Sequence, residues 1–243
     1  MPDSTNLSVI RVVLSQTSHP GNIGAAARAI KTMGLSQLYL VRPKLFPHSE
    51  ALALASGADD VLGGAVVCDS LDEALAGTVL AVAATARNRE LSHQVVPCRE
   101  ACHRVVTETS HGDVAVVFGT ERTGLTIAEV NKCGLIATIP TGNYASLNLA
   151  QAVQVFAYEL RMAATGPEWS KNAGSGANMA THDEVERFYD HLEAVLYESG
   201  FLDRTQPGRM MQRLRRLFAR ARLEKEEVNI LRGIFSALQD KGQ

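Results

Sequence analysis

The 243-residue sequence lacks the features that define several large protein classes. Its apolar runs are short and are broken by charged residues or glycine, so none predicts a transmembrane helix. The N-terminal segment MPDSTNLSVI has neither the basic part nor the apolar part of a secretory signal peptide, which favours a cytoplasmic location. The four cysteines do not suggest a disulfide framework, and the loose spacing of Cys98, Cys102 and His103 does not predict a metal site.

An excess of one charge is also missing, since 24 basic and 26 acidic residues give a formal net charge of −2. This balance argues against a protein that coats nucleic acid indiscriminately. The charge is nevertheless distributed unevenly along the chain. Seven arginines occur between positions 204 and 222 with no acid among them, namely Arg204, Arg209, Arg213, Arg215, Arg216, Arg220 and Arg222.

The first two thirds of the chain alternate between strand patterns and helix patterns. The predicted strands, several of them continuously apolar, are Val9–Leu14, Gln37–Val41, Ala65–Cys68, Val79–Ala84, Val114–Phe118 and Leu135–Ile139. The predicted helices are Asn22–Met33, Leu71–Ala76, Thr126–Lys132 and Leu149–Ala164. Alternation of this kind predicts an α/β domain, residues 1–164, with a mostly parallel sheet covered on both faces.

The remaining third has no strand pattern. Residues 165–181 are rich in glycine, serine, alanine and asparagine and predict a flexible linker. Residues 182–243 predict a small α-helical extension, with helices at Asp183–Leu196, Pro207–Ala221 and Glu224–Leu238. Because guanidinium groups suit phosphates and stacked bases, four arginines of the middle helix predict an RNA-binding surface, with a solvated helix face as the alternative: Arg213, Arg215, Arg216 and Arg220.

Glycine-containing loops follow several of the predicted strands. PGNIGAAAR, residues 20–28, has small residues that allow close backbone approach, but its spacing is not that of a dinucleotide-binding loop. Its last residue, Arg28, has either a functional role or a structural one at the surface. VVFGTERTGL, residues 116–125, ends a buried strand, and Leu125 stands where a phosphate-binding loop would need lysine.

Two further loops carry polar side chains at strand ends. IPTGNYASLNLA, residues 139–150, contains Ser146 and Asn148, which either cap the following helix or bind a polar ligand. ATARNR, residues 84–89, contains two arginines that either hold phosphate or are solvated. In open α/β sheets, ligands bind beyond the carboxyl ends of the strands, where these loops lie.

Together these motifs resemble the ribose 2′-O-methyltransferase branch of the SPOUT superfamily. PGNIGAAARA, VVFGTERTGL and IPTGNYASLNLAQAV resemble its three ordered motifs, and VERFYDHLEAVLYESGF, RLRRLFARARLE and VNILRGI resemble the C-terminal part of a tRNA-modifying family within it. The resemblance implies a mostly parallel sheet with a C-terminal trefoil knot, followed by the helical extension. It also implies a homodimer, S-adenosylmethionine as cofactor and tRNA as partner, with no metal and no membrane.

The resemblance also implies the roles of individual residues. The cofactor-binding residues are Ala84, Thr85, Ala86, Gly119, Ile139, Ala145, Ser146 and Leu147, and the catalytic residues are Arg28, Arg89, Ser146 and Asn148. Arginine is almost always protonated, so Arg28 is expected to orient the 2′-oxygen or a phosphate and to stabilise the forming alkoxide. Glu121 matches a family acid that is expected to order neighbouring loops.

The implied reaction is methyl transfer from S-adenosylmethionine to the ribose 2′-hydroxyl of a tRNA nucleotide, with position 32 of the anticodon loop as the expected target. Two alternatives stay open at this point. One is a SPOUT enzyme with another RNA acceptor, and the other is a non-catalytic RNA-binding protein on the same scaffold. The presence of Arg28 and of all three motifs disfavours the second alternative.

Overall fold

The computed structural model describes residues 7–86, 95–143, 147–165, 178–203 and 209–240. Within these ranges one parallel sheet has the strand order β3-β2-β1-β6-β4-β7-β5. Its strands are β1 Ile10–Ser15, β2 Gln37–Val41, β3 Val66–Cys68, β4 Leu80–Ala84, β5 Val95–Pro97, β6 Val114–Phe118 and β7 Leu135–Thr138. The six predicted strands are all confirmed, whereas β5 was not predicted, because three residues are too few to show a period.

Helices connect the strands and cover the sheet. Those of the α/β region are α1 Pro20–Thr32, α2 Ser49–Ala55, α3 Asp59–Gly63, α4 Leu71–Leu75, α5 Cys98–Glu108, α6 Ile127–Val130 and α7 Leu149–Thr165. The four helices predicted in this region are confirmed, with small shifts at their ends. Helices α2, α3 and α5 were not predicted. Unlike α4 and α6, whose N-caps Ser70 and Thr126 accept a hydrogen bond from the backbone, α3 and α5 have no side-chain cap at their start.

Local signals in the sequence set several helix ends. Gly34 has a φ of +83° immediately after α1, which explains why a glycine ends this helix. The Ser70 side chain accepts a hydrogen bond from the Glu73 backbone nitrogen and thereby caps α4. Thr126 and Glu129 form a reciprocal capping box at the start of α6.

The core lies on both faces of the sheet, as the sequence predicted. The larger face packs against α1, α5 and α7 and contains fully buried side chains such as Ile23, Ile30 and Leu160. The smaller face packs against α4 and α6 around Leu75 and Leu125. The trefoil knot stays a prediction, since residues 144–146, which precede α7, lie outside the described part of the chain.

The C-terminal region is helical and has a core of its own. It comprises α8 His182–Glu198, α9 Met210–Ala221 and α10 Lys225–Asp240. The ring of Phe188 is fully buried and contacts the rings of Tyr189, Phe218 and Phe235 at centroid distances of 5.2, 4.9 and 5.8 Å. This aromatic cluster joins all three helices.

Residues 178–181, the end of the predicted linker, belong to this ordered region. Met179 forms an antiparallel bridge with Glu224, and the Ala180 nitrogen donates to the Leu223 carbonyl at 3.0 Å. The preceding linker residues, 166–177, lie outside the described part of the chain.

The helical region contacts the α/β region near the amino ends of β4 and β6. The His182 nitrogen donates to the Thr78 carbonyl at 2.7 Å, two residues before β4. Arg222 forms an ion pair with the buried Glu108, the last residue of α5, which precedes β6. In the part of the chain that the structure describes, none of the helices combines the length and the apolar character needed to cross a membrane.

Candidate functional site

A cavity of about 320 Å³ lies at the carboxyl ends of β4, β6 and β7. It is lined by Ala84, Thr85, Ala86, Phe118, Gly119, Thr120, Glu121, Arg122, Gly124, Ile139, Thr141, Leu147, Leu149, Ala152 and Phe156. The rings of Phe118 and Phe156 meet edge to face at 5.3 Å and form an apolar wall. Threonine hydroxyls and strand-end backbone groups add polar partners, so the cavity suits a ligand with both apolar and polar parts.

Six of the eight predicted cofactor residues line this one cavity, namely Ala84, Thr85, Ala86, Gly119, Ile139 and Leu147. The other two, Ala145 and Ser146, lie outside the described residues. The Thr85 nitrogen donates to the Ala137 carbonyl at 3.0 Å and so holds the loop after β4 against β7. Loops that are far apart in the sequence therefore converge on a shared hollow.

The loop after β6 folds back on itself and requires glycine at its start. A Cβ atom on Gly119 would collide with the backbone of Gly124 and Leu125. Thr120 and Gly124 form a bridge that closes the turn, and Gly124 has a φ of +66°. The absence of a side chain at Gly119 thus allows two backbone segments to pack directly beside the cavity.

Glu121 connects this loop to the start of α1. Its carboxylate accepts hydrogen bonds from the Ser18 hydroxyl at 2.8 Å, the Asn22 side chain at 2.9 Å and the His19 backbone nitrogen at 3.2 Å. Burial alone would raise the pKa of Glu121, but the hydrogen bonds from Asn22 and Ser18 outweigh it and lower the pKa to about 2. The geometry agrees with the expectation that Glu121 orders neighbouring loops.

Asn148 extends the same network to α7. Its amide nitrogen donates to the Asn22 side-chain oxygen at 3.0 Å, and its own side-chain oxygen accepts from the Ala150 nitrogen at 2.9 Å. Both polar atoms are therefore engaged within the chain, and Asn148 caps α7. These contacts fit the capping alternative, and the catalytic role of Asn148 stays a prediction.

Arg28, the leading catalytic candidate, is exposed on α1 and is not among the residues that line the cavity. The opposite face of α1 is buried through Ile23, Ala27 and Ile30. Within the described residues the Arg28 side chain has no hydrogen bond or ion pair, so the structural salt bridge considered from sequence is not found there. The second predicted catalytic arginine, Arg89, lies outside the described residues.

The predicted RNA-binding arginines differ in their surroundings. Arg213, Arg216 and Arg220 are exposed on α9. Arg215, in contrast, binds both carboxylate oxygens of Glu186 at 2.6 and 2.9 Å and lies over the Tyr189 ring at 4.3 Å. Its guanidinium is thus engaged within the helical region, and RNA binding by Arg215 stays a prediction.

A second cavity, of about 160 Å³, lies between α9 and the amino ends of β4 and β7. Arg216 and Arg220 contribute to its wall from the helical region, and Arg104 and Lys132 contribute from the α/β region. Lys132 is paired with Asp72, and Arg104 with Glu100. The exposed arginines of α9 therefore lie at the amino end of the sheet, opposite the larger cavity.

Several cavity residues were not identified from the sequence. Phe118 and Phe156 form the apolar wall, yet Phe118 was counted only as a strand residue and Phe156 only as a helix residue. The spacing of Leu149, Ala152 and Phe156 places them on one face of α7. Leu149 directly follows the glycine-containing loop. The helical spacing from Leu149 to Phe156 is therefore the signal in the sequence that could have identified Phe156 as a cavity residue.

The cysteines contribute nothing to this site. All four are buried free thiols. Burial raises the pKa of Cys98 and of Cys102, which disfavours the thiolate form that binds metals. Groups of three or more potential metal ligands are not found in the described ranges.

The parallel sheet and its strand-end cavity define an α/β protein with a small-ligand site, and two family models identify its class. The family model for the SpoU rRNA Methylase family matches residues 9–158, and the family model for the tRNA methyltransferase TrmJ, C-terminal domain, matches residues 183–243.

Relatives that match almost the whole chain identify the family within this class. The tRNA (cytidine/uridine-2′-O-)-methyltransferase TrmJ of Photorhabdus laumondii is 50% identical over 235 residues, which cover 96% of this chain and 98% of that protein. The crystal structure of TrmJ from Z. mobilis ZM4 is 32% identical with a TM-score of 0.83, and the match covers 96% of this chain and all of that one. The chain belongs to the TrmJ family.

Two other solved structures match the α/β part. One, from work on 2-OH methylation of C/U34 on tRNA, is 29% identical with a TM-score of 0.53, covering 65% of this chain and 97% of its own. The other is an AdoMet-bound rRNA methyltransferase from Sinorhizobium meliloti, 26% identical with a TM-score of 0.51, covering 63% of this chain and 55% of its own.

Proposed function

We propose that this protein transfers a methyl group from S-adenosylmethionine to the ribose 2′-hydroxyl of a tRNA nucleotide, at position 32 of the anticodon loop. The observation that carries the proposal is the convergence of the predicted cofactor residues on one cavity in a chain of the TrmJ family. Such a protein works on tRNA in the cytoplasm, which is the location we propose.

The cavity fits S-adenosylmethionine in size and in chemistry. Its volume lies within the range of small-ligand pockets, about 300–1,000 Å³. The apolar wall of Phe118, Phe156 and Leu149 suits an adenine ring, and the backbone of Gly119, which lines the cavity, suits the polar groups of the ligand. The ionised Glu121 places a negative charge at the wall, which favours a cationic sulfonium.

When bound, S-adenosylmethionine supplies a methyl group that is already activated by its sulfonium. The task of the protein is then to position a weakly acidic hydroxyl and to stabilise charge as its proton leaves. We assign this task to Arg28, with Arg89 binding RNA phosphate or ribose and Ser146 at the cofactor loop. Asn148 and Asn22 hold the loops in place.

We propose that the protein is a homodimer, in which Arg28 of each chain completes the cavity of the other. Arg28 is exposed on α1 and lies outside the cavity of its own chain. Tyr158 and Met162, one turn apart on α7, are 47% and 42% exposed, and Leu147 at the cavity is 39% exposed. Apolar groups of this kind next to a site suit a subunit interface, in which each Arg28 serves the cavity of the other subunit.

The helical extension supplies the tRNA-binding surface in this proposal, and we keep the division into 1–164, 165–181 and 182–243. Arg213, Arg216 and Arg220 are exposed on one helix, so they are free to contact phosphates. The match to the structure related to C/U34 methylation covers 65% of this chain.

The test is methyl incorporation from labelled S-adenosylmethionine into tRNA transcripts with single 2′-deoxy substitutions. A 2′-deoxy ribose at position 32 abolishes incorporation under the proposal, and the same change at position 34 has no effect. The reverse result moves the target to position 34. Cofactor binding by calorimetry without any incorporation into tRNA or rRNA would make the chain a binding protein.

A further inference from the structure

Exposed cations that the proposed function does not use lie at the carboxyl edge of the sheet, beside the larger cavity. Arg42 and Lys44 follow β2, and both are exposed. Because β1 lies next to β6 in the sheet and β2 lies next to β1, these side chains lie on one flank of the cavity.

Backbone hydrogen bonds tie this flank to the cavity wall. The Lys44 nitrogen donates to the Thr17 carbonyl at 3.0 Å, which joins the loop after β2 to the loop after β1. The adjacent residues Ser18 and His19 donate their backbone nitrogens to Glu121, which lines the cavity. These hydrogen bonds fix the position of the Lys44 backbone relative to the cavity.

Arg42 occupies a conformation that its residue type disfavours. Its φ is +44°, in the left-handed region where glycine or asparagine is usual, and the next residue is Pro43, which restricts it further. Its backbone nitrogen donates to the Cys68 carbonyl at 3.0 Å. Glycine would adopt this backbone conformation without strain. The presence of arginine therefore indicates a role for its side chain.

The charges of Arg42 and Lys44 are not compensated within the described part of the chain. Neither side chain forms an ion pair or hydrogen bond there. The carboxylate of Glu73, on the neighbouring α4, is instead occupied by the backbone nitrogen of Asp69 at 2.7 Å. Arg42 and Lys44, whose backbone positions are held by hydrogen bonds, thus lie beside a cavity that we propose receives an RNA nucleotide. Neither charge is compensated within the described residues.

We propose that Arg42 and Lys44 bind backbone phosphates of the tRNA strand next to the target nucleotide and position that strand at the cavity. The inference rests on the proposed function, since the strand enters the site that function defines. These two residues are positioning residues, and they form an RNA surface separate from that of α9, which lies at the opposite edge of the sheet.

The test compares two double variants that remove the same charge. The first is Arg42→Asn with Lys44→Gln, in which asparagine tolerates the left-handed conformation. The control is Lys31→Gln with Arg161→Gln; Lys31 lies in the last turn of α1, and Arg161 is close to Gly34 at the amino edge. tRNA binding is measured by filter binding from 50 to 200 mM salt, and the methyl-transfer kinetics are measured in parallel.

Each lost phosphate contact reduces the slope of log affinity against log salt by about 0.7–0.9, so the first variant loses about 1.4–1.8. Its KM for tRNA rises about tenfold, while kcat and the affinity for S-adenosylmethionine stay unchanged. Its melting temperature equals or exceeds that of the wild type, since a disfavoured backbone conformation is relieved. The control variant keeps the wild-type slope.

An unchanged slope in the first variant overturns the inference, as does an equal loss in the control, which would show a general field effect. A fall in kcat at constant KM overturns it too, because that pattern belongs to residues that act in the chemical step. If the wild type binds tRNA but transfers no methyl group, the proposed function fails, while the slopes still decide whether these residues contact phosphate.

Discussion

The two regions of this molecule are built in different ways. The α/β region depends on strands buried on both faces and on backbone contacts so close that Gly119 and Gly24 leave no room for a side chain. The helical region depends on one aromatic cluster around Phe188 and presents exposed arginines. A small ligand with exact polar partners requires a rigid backbone, whereas a large polyanion requires only fixed positive charge.

The larger cavity and the helical region lie at opposite ends of the strands. The larger cavity is at the carboxyl ends of the strands, and the helical region contacts the amino ends through His182 and Arg222. A tRNA that touches both must span the length of the strands or be shared between two subunits. Variants that affect cofactor binding, catalysis or tRNA binding separately therefore test whether the two regions act independently.

The substitution Gly119→Ala should affect the α/β region alone and have the largest effect. The new Cβ collides with the backbone of Gly124 and Leu125, so the loop after β6 must move away from its place at the cavity. We expect S-adenosylmethionine affinity, measured by calorimetry, to fall about 100-fold or more, because displacements of about 1 Å have effects of that size. tRNA binding through the helical region should be preserved.

Gly142→Ala is the matched control, because nothing lies within 4 Å of a Cβ atom at that position and its loop follows the neighbouring strand β7. This variant should bind the cofactor like the wild type. Equal affinities for Gly119→Ala and the wild type would show that the folded-back loop is not part of the cofactor site.

Arg28→Ala tests whether the α/β region of one chain is a complete active site. We expect kcat to fall about 100- to 1,000-fold with unchanged cofactor affinity, since a charge that stabilises the transition state is lost. Mixing this variant with Gly119→Ala should restore about a quarter of the wild-type activity, because half of the dimers are then mixed and each has one intact site. Failure of the mixture to recover activity would place Arg28 and the cavity in the same subunit.

The sequence predicted the α/β region better than the site within it. Apolar strands and the terminators Ser70 and Gly34 are local signals, so the strands and most helix ends were predicted closely. The partners of Asn148 and Arg215, which are Asn22 and Glu186, are distant in sequence. Long-range pairing of polar side chains leaves no period in the sequence, so these contacts could not be predicted.

Phe188→Ala tests whether the helical region can unfold without loss of the cofactor site. Removing the ring at the centre of the aromatic cluster should destabilise this region by about 3–5 kcal/mol. Limited proteolysis and thermal melting should show loss of the helical region, with tRNA binding weakened and cofactor binding retained.

Phe201→Ala is the control for this variant, because its ring is 63% exposed and its loss should change little. Simultaneous loss of cofactor binding in Phe188→Ala would show that the two regions unfold together. The α/β region would then not fold independently of the helical region.

Glu121→Gln should have the smallest effect and one that depends on pH. The pKa of Glu121 is about 2 in the folded protein, below its usual value, so its stabilising contribution is full above about pH 4.5 and is lost as the pH falls towards 2. The melting temperature of the variant should lie below that of the wild type at neutral pH, and the gap should close in acid. Glu50→Gln, which changes an exposed carboxylate on α2, should follow the wild-type curve. A gap of constant size from pH 7 to pH 3 would mean that the hydrogen-bond geometry of the network, rather than the charge of Glu121, joins α1 to the cavity.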